Sequence, residues 1–169
     1  DGFDWGYNPK LPKKACFELL TLKFVGDGED ALLIRQPGTG KSHIAQAVAH
    51  AAILAGYKVV CRHADLLFPE LFQAAQLKAR QKLMDQFLSA DLLVIDDLFL
   101  ARKFPAEAAD DFQEIVTQRY RSRKTTMITS NRVIQDWGKF LGDNAMTSAL
   151  LDRLMHRGHF LRFDGKSWR

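Results

Sequence analysis

An α/β fold built on a mostly parallel sheet follows from three observations in these 169 residues. Short apolar runs alternate with longer helical patterns along the whole chain. One of those runs leads into a glycine-rich turn and then a helix. Another ends in two adjacent carboxylates. Such alternation makes βαβ units, whose strands are covered by helices on both faces.

The elements follow in order. A first amphipathic helix is expected over 15–24, followed by a turn at Asp27-Gly28-Glu29-Asp30. Strands are expected at 31–35, 58–62, 92–96, 125–129 and 159–163, each apolar with few polar interruptions. Helical patterns fill the intervals at 41–55, 66–77 with a continuation to 88, 107–121 and 144–156. Gly56 suits the C-terminal cap of the 41–55 helix. No repeat, low-complexity tract or linker interrupts this pattern, and the length fits a single domain over 1–169.

Composition narrows the class. No apolar run approaches the roughly 20 residues that span a bilayer, which excludes a helical membrane protein. Asp1-Gly2-Phe3-Asp4-Trp5 lacks the basic and apolar regions of a signal peptide, so a cytoplasmic location is the expectation. Cys16 and Cys61 have no metal-ligand spacing and are expected to be small buried hydrophobes. The net charge of +4 permits an anionic partner without demanding one. Basic residues gather at Lys10, Lys13 and Lys14, at Lys78, Arg80 and Lys82, at Arg102 and Lys103, and at Arg119, Arg121, Arg123 and Lys124. The last group is expected to close a helix, where cations suit the negative end of the dipole.

The turn Pro37-Gly38-Thr39-Gly40-Lys41-Ser42, continued by His43, sits between strand 31–35 and helix 41–55. Glycines let successive N–H groups point into one concavity, and the helix adds its positive end. Lys41 is placed to reach the β- and γ-phosphates of a nucleotide, and the Ser42 hydroxyl to ligate Mg²⁺. The usual first glycine of such a loop is replaced by Arg35. Arg35 is expected to keep an ordinary strand conformation with its side chain turned away from the phosphates.

Leu92-Leu93-Val94-Ile95-Asp96-Asp97 supplies the second half of the site. Asp96 would hold Mg²⁺ through water, and Asp97 would orient or deprotonate the attacking water. Ligands of open parallel sheets sit at the carboxyl ends of strands, which brings Asn131 near the γ-phosphate. In the segment Leu150-Leu151-Asp152-Arg153-Leu154-Met155, the residues Leu150, Leu151, Leu154 and Met155 form an apolar face. Arg153 lies off that stripe. It either pairs with Asp152 at the surface or serves a neighbouring subunit as an arginine finger.

The combination PGTGKSH, LLVIDDL, TSNR, ALLDRLMHRG and a final GKSWR closely resembles the IstB-like ATPases of the AAA+ superfamily, helpers of insertion-sequence transposition related to DnaC-type helicase loaders. That resemblance implies a P-loop αβα core with five parallel strands in the order 5-1-4-3-2. It implies Walker A positions at Lys41 and Ser42, a Walker B pair at Asp96 and Asp97, a sensor at Asn131 and a finger supplied in trans by Arg153. It implies ATP and Mg²⁺ as cofactors and DNA-stimulated hydrolysis. Its partners would be non-specific duplex DNA, further copies of the chain and a transposase. A helicase loader, whose partner is a replicative helicase, is the alternative. An inactive scaffold is disfavoured by the intact Lys41, Ser42, Asp96 and Asp97. The small N-terminal region usual in the family and a C-terminal helical lid are both expected to be missing.

Overall fold

Five parallel strands form the centre of the molecule in the computed structural model, which describes residues 3–98 and 105–167. They are β1 (Asp30–Arg35), β2 (Val59–His63), β3 (Leu92–Leu98), β4 (Thr125–Ser130) and β5 (Gly158–Phe163). Their order is β2-β3-β4-β1-β5, the expected order read from the other edge. The expected cluster Arg102 and Lys103, and the last two residues of GKSWR, lie outside the described residues.

Strand neighbours explain the apolar runs. Leu32, Ile34, Leu93, Ile95 and Ile128 point into one core, while Ala31, Leu33, Leu92, Val94 and Met127 point into the other. Alternation by two thus carries β1, β3 and β4 through both layers, while the edge strand β5 buries only Leu161 and Phe163, both in the second core. The second core is closed by α1 (Lys13–Leu20), α2 (Lys23–Asp27) and α3 (Lys41–Leu54). The first is closed by α4 (Ala64–Gln76), α5 (Arg80–Ser89), α6 (Ala106–Arg121), α7 (Trp137–Leu141) and α8 (Asn144–His156).

Two expectations about helices change. The helix expected over 15–24 is split in two, because the Thr21 hydroxyl donates to Glu18 O and accepts from Lys23 N, and Leu22 turns to φ 61°. The helix expected to run on to 88 breaks likewise at Lys78, at φ 54°, so α5 starts in a new direction. The α7 turn and the 3-10 turn before it, Ile134–Asp136, carry too short a pattern to be legible in advance. Gly56, at φ 88°, does end α3 as expected.

Side-chain burial corrects others. Cys16 is buried but Cys61 is exposed on the edge strand β2. Met155 leaves the apolar face of α8 and is 47% exposed. Arg119 is fully buried. Its guanidinium donates to Phe87 O (2.6 Å), Ala90 O (2.8 Å), Thr125 O (2.5 Å) and the Thr126 hydroxyl (3.1 Å). The basic group does close α6, with Arg119 and Arg121 in its last turn, and the Arg119 guanidinium in addition satisfies carbonyls at the end of α5.

Candidate functional site

The loop 36–40 turns the chain from β1 into α3, and its backbone needs glycine at two places. Gly38 and Gly40 both have positive φ, 70° and 94°. Each is also backed by a distant segment: a Cβ on Gly38 would strike Ser167, and one on Gly40 would strike the ring of Phe3. Those two segments hold one another. The Tyr7 hydroxyl donates to Ser167 O (2.9 Å), and Asn8 Nδ2 donates to Asp164 O (3.0 Å). Within the loop the Thr39 hydroxyl donates to Gln36 O (2.7 Å).

Lys41 is 4% exposed and folds back on the loop. Its Nζ donates to Gln36 O (2.6 Å) and Arg35 O (3.0 Å). Burial pushes the ammonium down to about 8, against the pull of Asp97 and Asp96, which favour its charged form. Ser42 follows at the second residue of α3, partly exposed. His43 is exposed and lies against Phe3, the ring centroids 5.3 Å apart.

Arg35 still pairs with Phe163 as the last residue of β1, but its backbone dihedral is not that of an ordinary strand. Its φ is 111°, in the region where a Cβ is disfavoured, so the chain bends where related loops place glycine. The side chain does turn outward, with Nε 3.8 Å from the Asp164 carboxylate.

Asp96 and Asp97 stand at the end of β3, beside a register shift between Ile95 and Leu98. The shift follows from Asp97 at φ 55°. One hydroxyl organises the pair: Thr129 Oγ1 donates to Asp96 Oδ1 (2.5 Å) and accepts from Asp97 N (2.9 Å). The Asp97 carboxylate then lies between two further groups. Asn131 Nδ2 donates to Oδ1 at 3.5 Å, and His63 Nε2 stands 3.4 Å from Oδ2. His63 ends β2 directly opposite Asp96 in the strand register.

Oxygen donors fit Mg²⁺ better than nitrogen does. The Ser42 hydroxyl, at the start of α3, and the Asp96 carboxylate, near the end of β3, are oxygen donors of that kind. His63, Asp96 and Asp97 also offer ligand atoms within 4.8 Å of one another.

The sequence as a whole matches the family model described as IstB-like ATP binding protein over residues 1–169. The chain belongs to that family. It is 33% identical to the ATP-binding protein of insertion sequence IS21 from Pseudomonas aeruginosa, over 99% of this chain and 62% of that protein. It is 32% identical to the corresponding protein of insertion sequence IS5376 from Geobacillus stearothermophilus, over 100% of this chain and 66% of that one. The chain therefore spans less than two thirds of the length of these relatives. Among solved structures, the DnaC helicase loader superposes with a TM-score of 0.74 at 21% identity, over 89% of this chain and 87% of that one. The replication initiator DnaA bound to AMPPCP and single-stranded DNA gives 0.75 at 22% identity, over 93% and 47%. The fold is that of the AAA+ P-loop core.

Within this family member the loop 37–43, the pair Asp96 and Asp97, and Asn131 stand at the carboxyl ends of the neighbouring strands β1, β3 and β4. Arg153 does not join them through any bond: its Nη1 donates to Ala149 O (2.8 Å), one turn back in α8. Nor does it pair with Asp152 among the described residues. His63 and Thr129 were missed in the sequence. Both are the last or next-to-last residues of parallel strands, and a strand-end census would have found them.

Proposed function

We propose that this chain is the ATP-binding and ATP-hydrolysing core of a DNA-transposition helper. The observation that carries the reading is the Asp97 carboxylate at the end of β3, with Asn131 and His63 on either side of it, whose charge and that of Asp96 favour the charged form of the buried Lys41. Insertion-sequence relatives at 33% and 32% identity support the transposition role.

The chemistry follows from the groups present. The loop N–H groups and the start of α3 bind the phosphates. Lys41 exchanges two loop carbonyls for phosphate oxygens, so its charge faces the group being transferred. Ser42, and Asp96 through water, would hold Mg²⁺, which would supply positive charge to offset that of the phosphates. Asp97 accepts a proton from the attacking water, and Asn131 fixes the direction of that water. Arg153 reaches the site of an adjacent copy in a homo-oligomer on duplex DNA, where a transposase is recruited or stimulated. Hydrolysis is stimulated by DNA, bound without sequence preference, in the cytoplasm. Among the described residues no helix is long and apolar enough to cross a membrane. A helicase-loading role rests on the DnaC likeness, which at 21% identity speaks for the fold alone.

Two variants test the site. Lys41→Ala is expected to lose detectable ATP binding in a calorimetric titration, and unchanged affinity would refute the assignment. Asp97→Asn is expected to bind Mg-ATP while phosphate release slows at least tenfold, about 1.4 kcal/mol of barrier. Wild-type turnover in Asp97→Asn would remove Asp97 from the chemistry.

A further inference from the structure

The outer face of α1 carries Lys13, Lys14, Phe17 and Glu18, with Thr21 at its end, while Cys16 and Leu19 face the core. The spacing places all five on one side of the helix. They line an open groove of about 590 Å³. Phe17 is 48% exposed at its centre. The Trp5 ring stacks on Phe17 with centroids 5.2 Å apart and an interplanar angle of 30°. Lys13 Nζ lies 5.8 Å from the Trp5 centroid and 6.0 Å from that of Phe17. Lys10, exposed, precedes the helix. The face therefore combines a stacked aromatic pair with two lysines against one glutamate.

A half-exposed phenylalanine alone is ordinary. A stacked pair flanked by Lys13 and Lys14 is different, because it matches a ligand with both flat π-faces and a run of negative charge. We propose that this face binds single-stranded nucleic acid. An unpaired base extends the Trp5–Phe17 stack, and Lys13 and Lys14 take the flanking phosphates. Duplex DNA satisfies only the lysines, since its base faces are covered by their neighbours. An acidic peptide likewise leaves the rings unused. The proposal does not depend on the chemistry at Lys41.

The test is binding of a fluorescent oligothymidine to the whole chain without nucleotide. Removing one stacking ring is worth about 1–3 kcal/mol per base, so Phe17→Ala should weaken binding roughly 5- to 150-fold. Phe17 is largely outside the core, and an unchanged melting midpoint will show that the variant folds. Removing Lys13 and Lys14 together should flatten the slope of log affinity against log salt by about 1.4, at about 0.7 per single-strand phosphate. Lys41→Ala should bind the oligonucleotide as the wild type does, which separates this face from the nucleotide site. Four outcomes would overturn the proposal: no binding by the wild type, unchanged affinity in Phe17→Ala, equal competition by duplex DNA, or equal competition by polyglutamate. A loss of ATP affinity in Phe17→Ala with oligonucleotide binding intact would overturn it too, assigning the rings to the nucleotide's own base.

Discussion

The Thr129 hydroxyl donates to the Asp96 carboxylate across the β3–β4 pair at 2.5 Å. The same oxygen accepts the N–H of Asp97, the residue whose backbone is turned to positive φ. One β4 side chain thus holds both members of the acidic pair in place. Thr129→Val keeps the shape and removes both bonds, leaving the Asp97 N–H without its partner. The expected cost is about 1–3 kcal/mol of stability, read as a lower urea midpoint. Thr129→Ser should recover most of it. Equal midpoints for the valine and serine variants would show that the hydroxyl is not the anchor.

Arg35→Gly should make the protein more stable. A non-glycine residue in a sparsely populated backbone region costs about 1–3 kcal/mol. The flexibility of glycine in the unfolded chain returns about 0.5–1 kcal/mol of that. The ion pair to Asp164 is long and open to solvent, worth less than about 1 kcal/mol. A net gain of about 1 kcal/mol is expected, measured as a higher denaturation midpoint at constant slope. ATP affinity should move by less than about tenfold.

Asp30 gives a pH signature. Burial pushes its carboxyl up to about 7, against the Thr126 N–H, Arg119 and Arg157, which all favour the anion. Unfolded, it titrates near about 3.9. The folded protein therefore holds this proton more tightly, and folding stability falls as pH rises between those values. Asp30→Asn cannot ionise and still offers Thr126 N an oxygen. Its stability relative to wild type should rise from about pH 4 to about pH 7 and then level off. Denaturation midpoints of both proteins across that range are the check, and a constant difference would show that Asp30 is not buried as a neutral acid.

Arg153→Ala should leave ATP binding intact, because among the described residues its guanidinium bonds to its own helix alone. On DNA its hydrolysis should drop to the unstimulated rate. Mixing it with Lys41→Ala should restore part of the activity, since an intact arginine then faces an intact loop. No recovery in the mixture, with both variants shown to assemble, would move the finger elsewhere.

The sheet was legible because each strand is a short apolar run between helices, and β3 and β4 needed only two more residues and one more residue at their ends. The phosphate loop was legible because Lys41 and Ser42 stand in a fixed strand–turn–helix context. What escaped depended on distant neighbours. Nothing local marks Arg119 as the buried cap of α5, because the α5 carbonyls that it binds, Phe87 O and Ala90 O, belong to residues some thirty positions away. Leu22 and Lys78 turn to positive φ without glycine, so no residue type announced the two helix breaks. Arg35 misled in the same way, as its backbone follows the loop rather than its side chain. His63 and Thr129 needed the strand register before they could be matched with Asp96.

Phe3 and Ser167 press on the two glycines of the phosphate loop, and Tyr7 is tied to Ser167 across 160 positions of sequence. Closing so long a stretch adds little to the equilibrium cost, since each doubling of loop length costs only about 0.6 kcal/mol. It matters more in time, because contacts of high sequence separation form slowly. The sheet can assemble from neighbouring βαβ units before these two segments meet. Refolding chains should then recover their far-ultraviolet signal ahead of their ability to bind nucleotide. During that interval the protein is a folded sheet whose loop still lacks its backing.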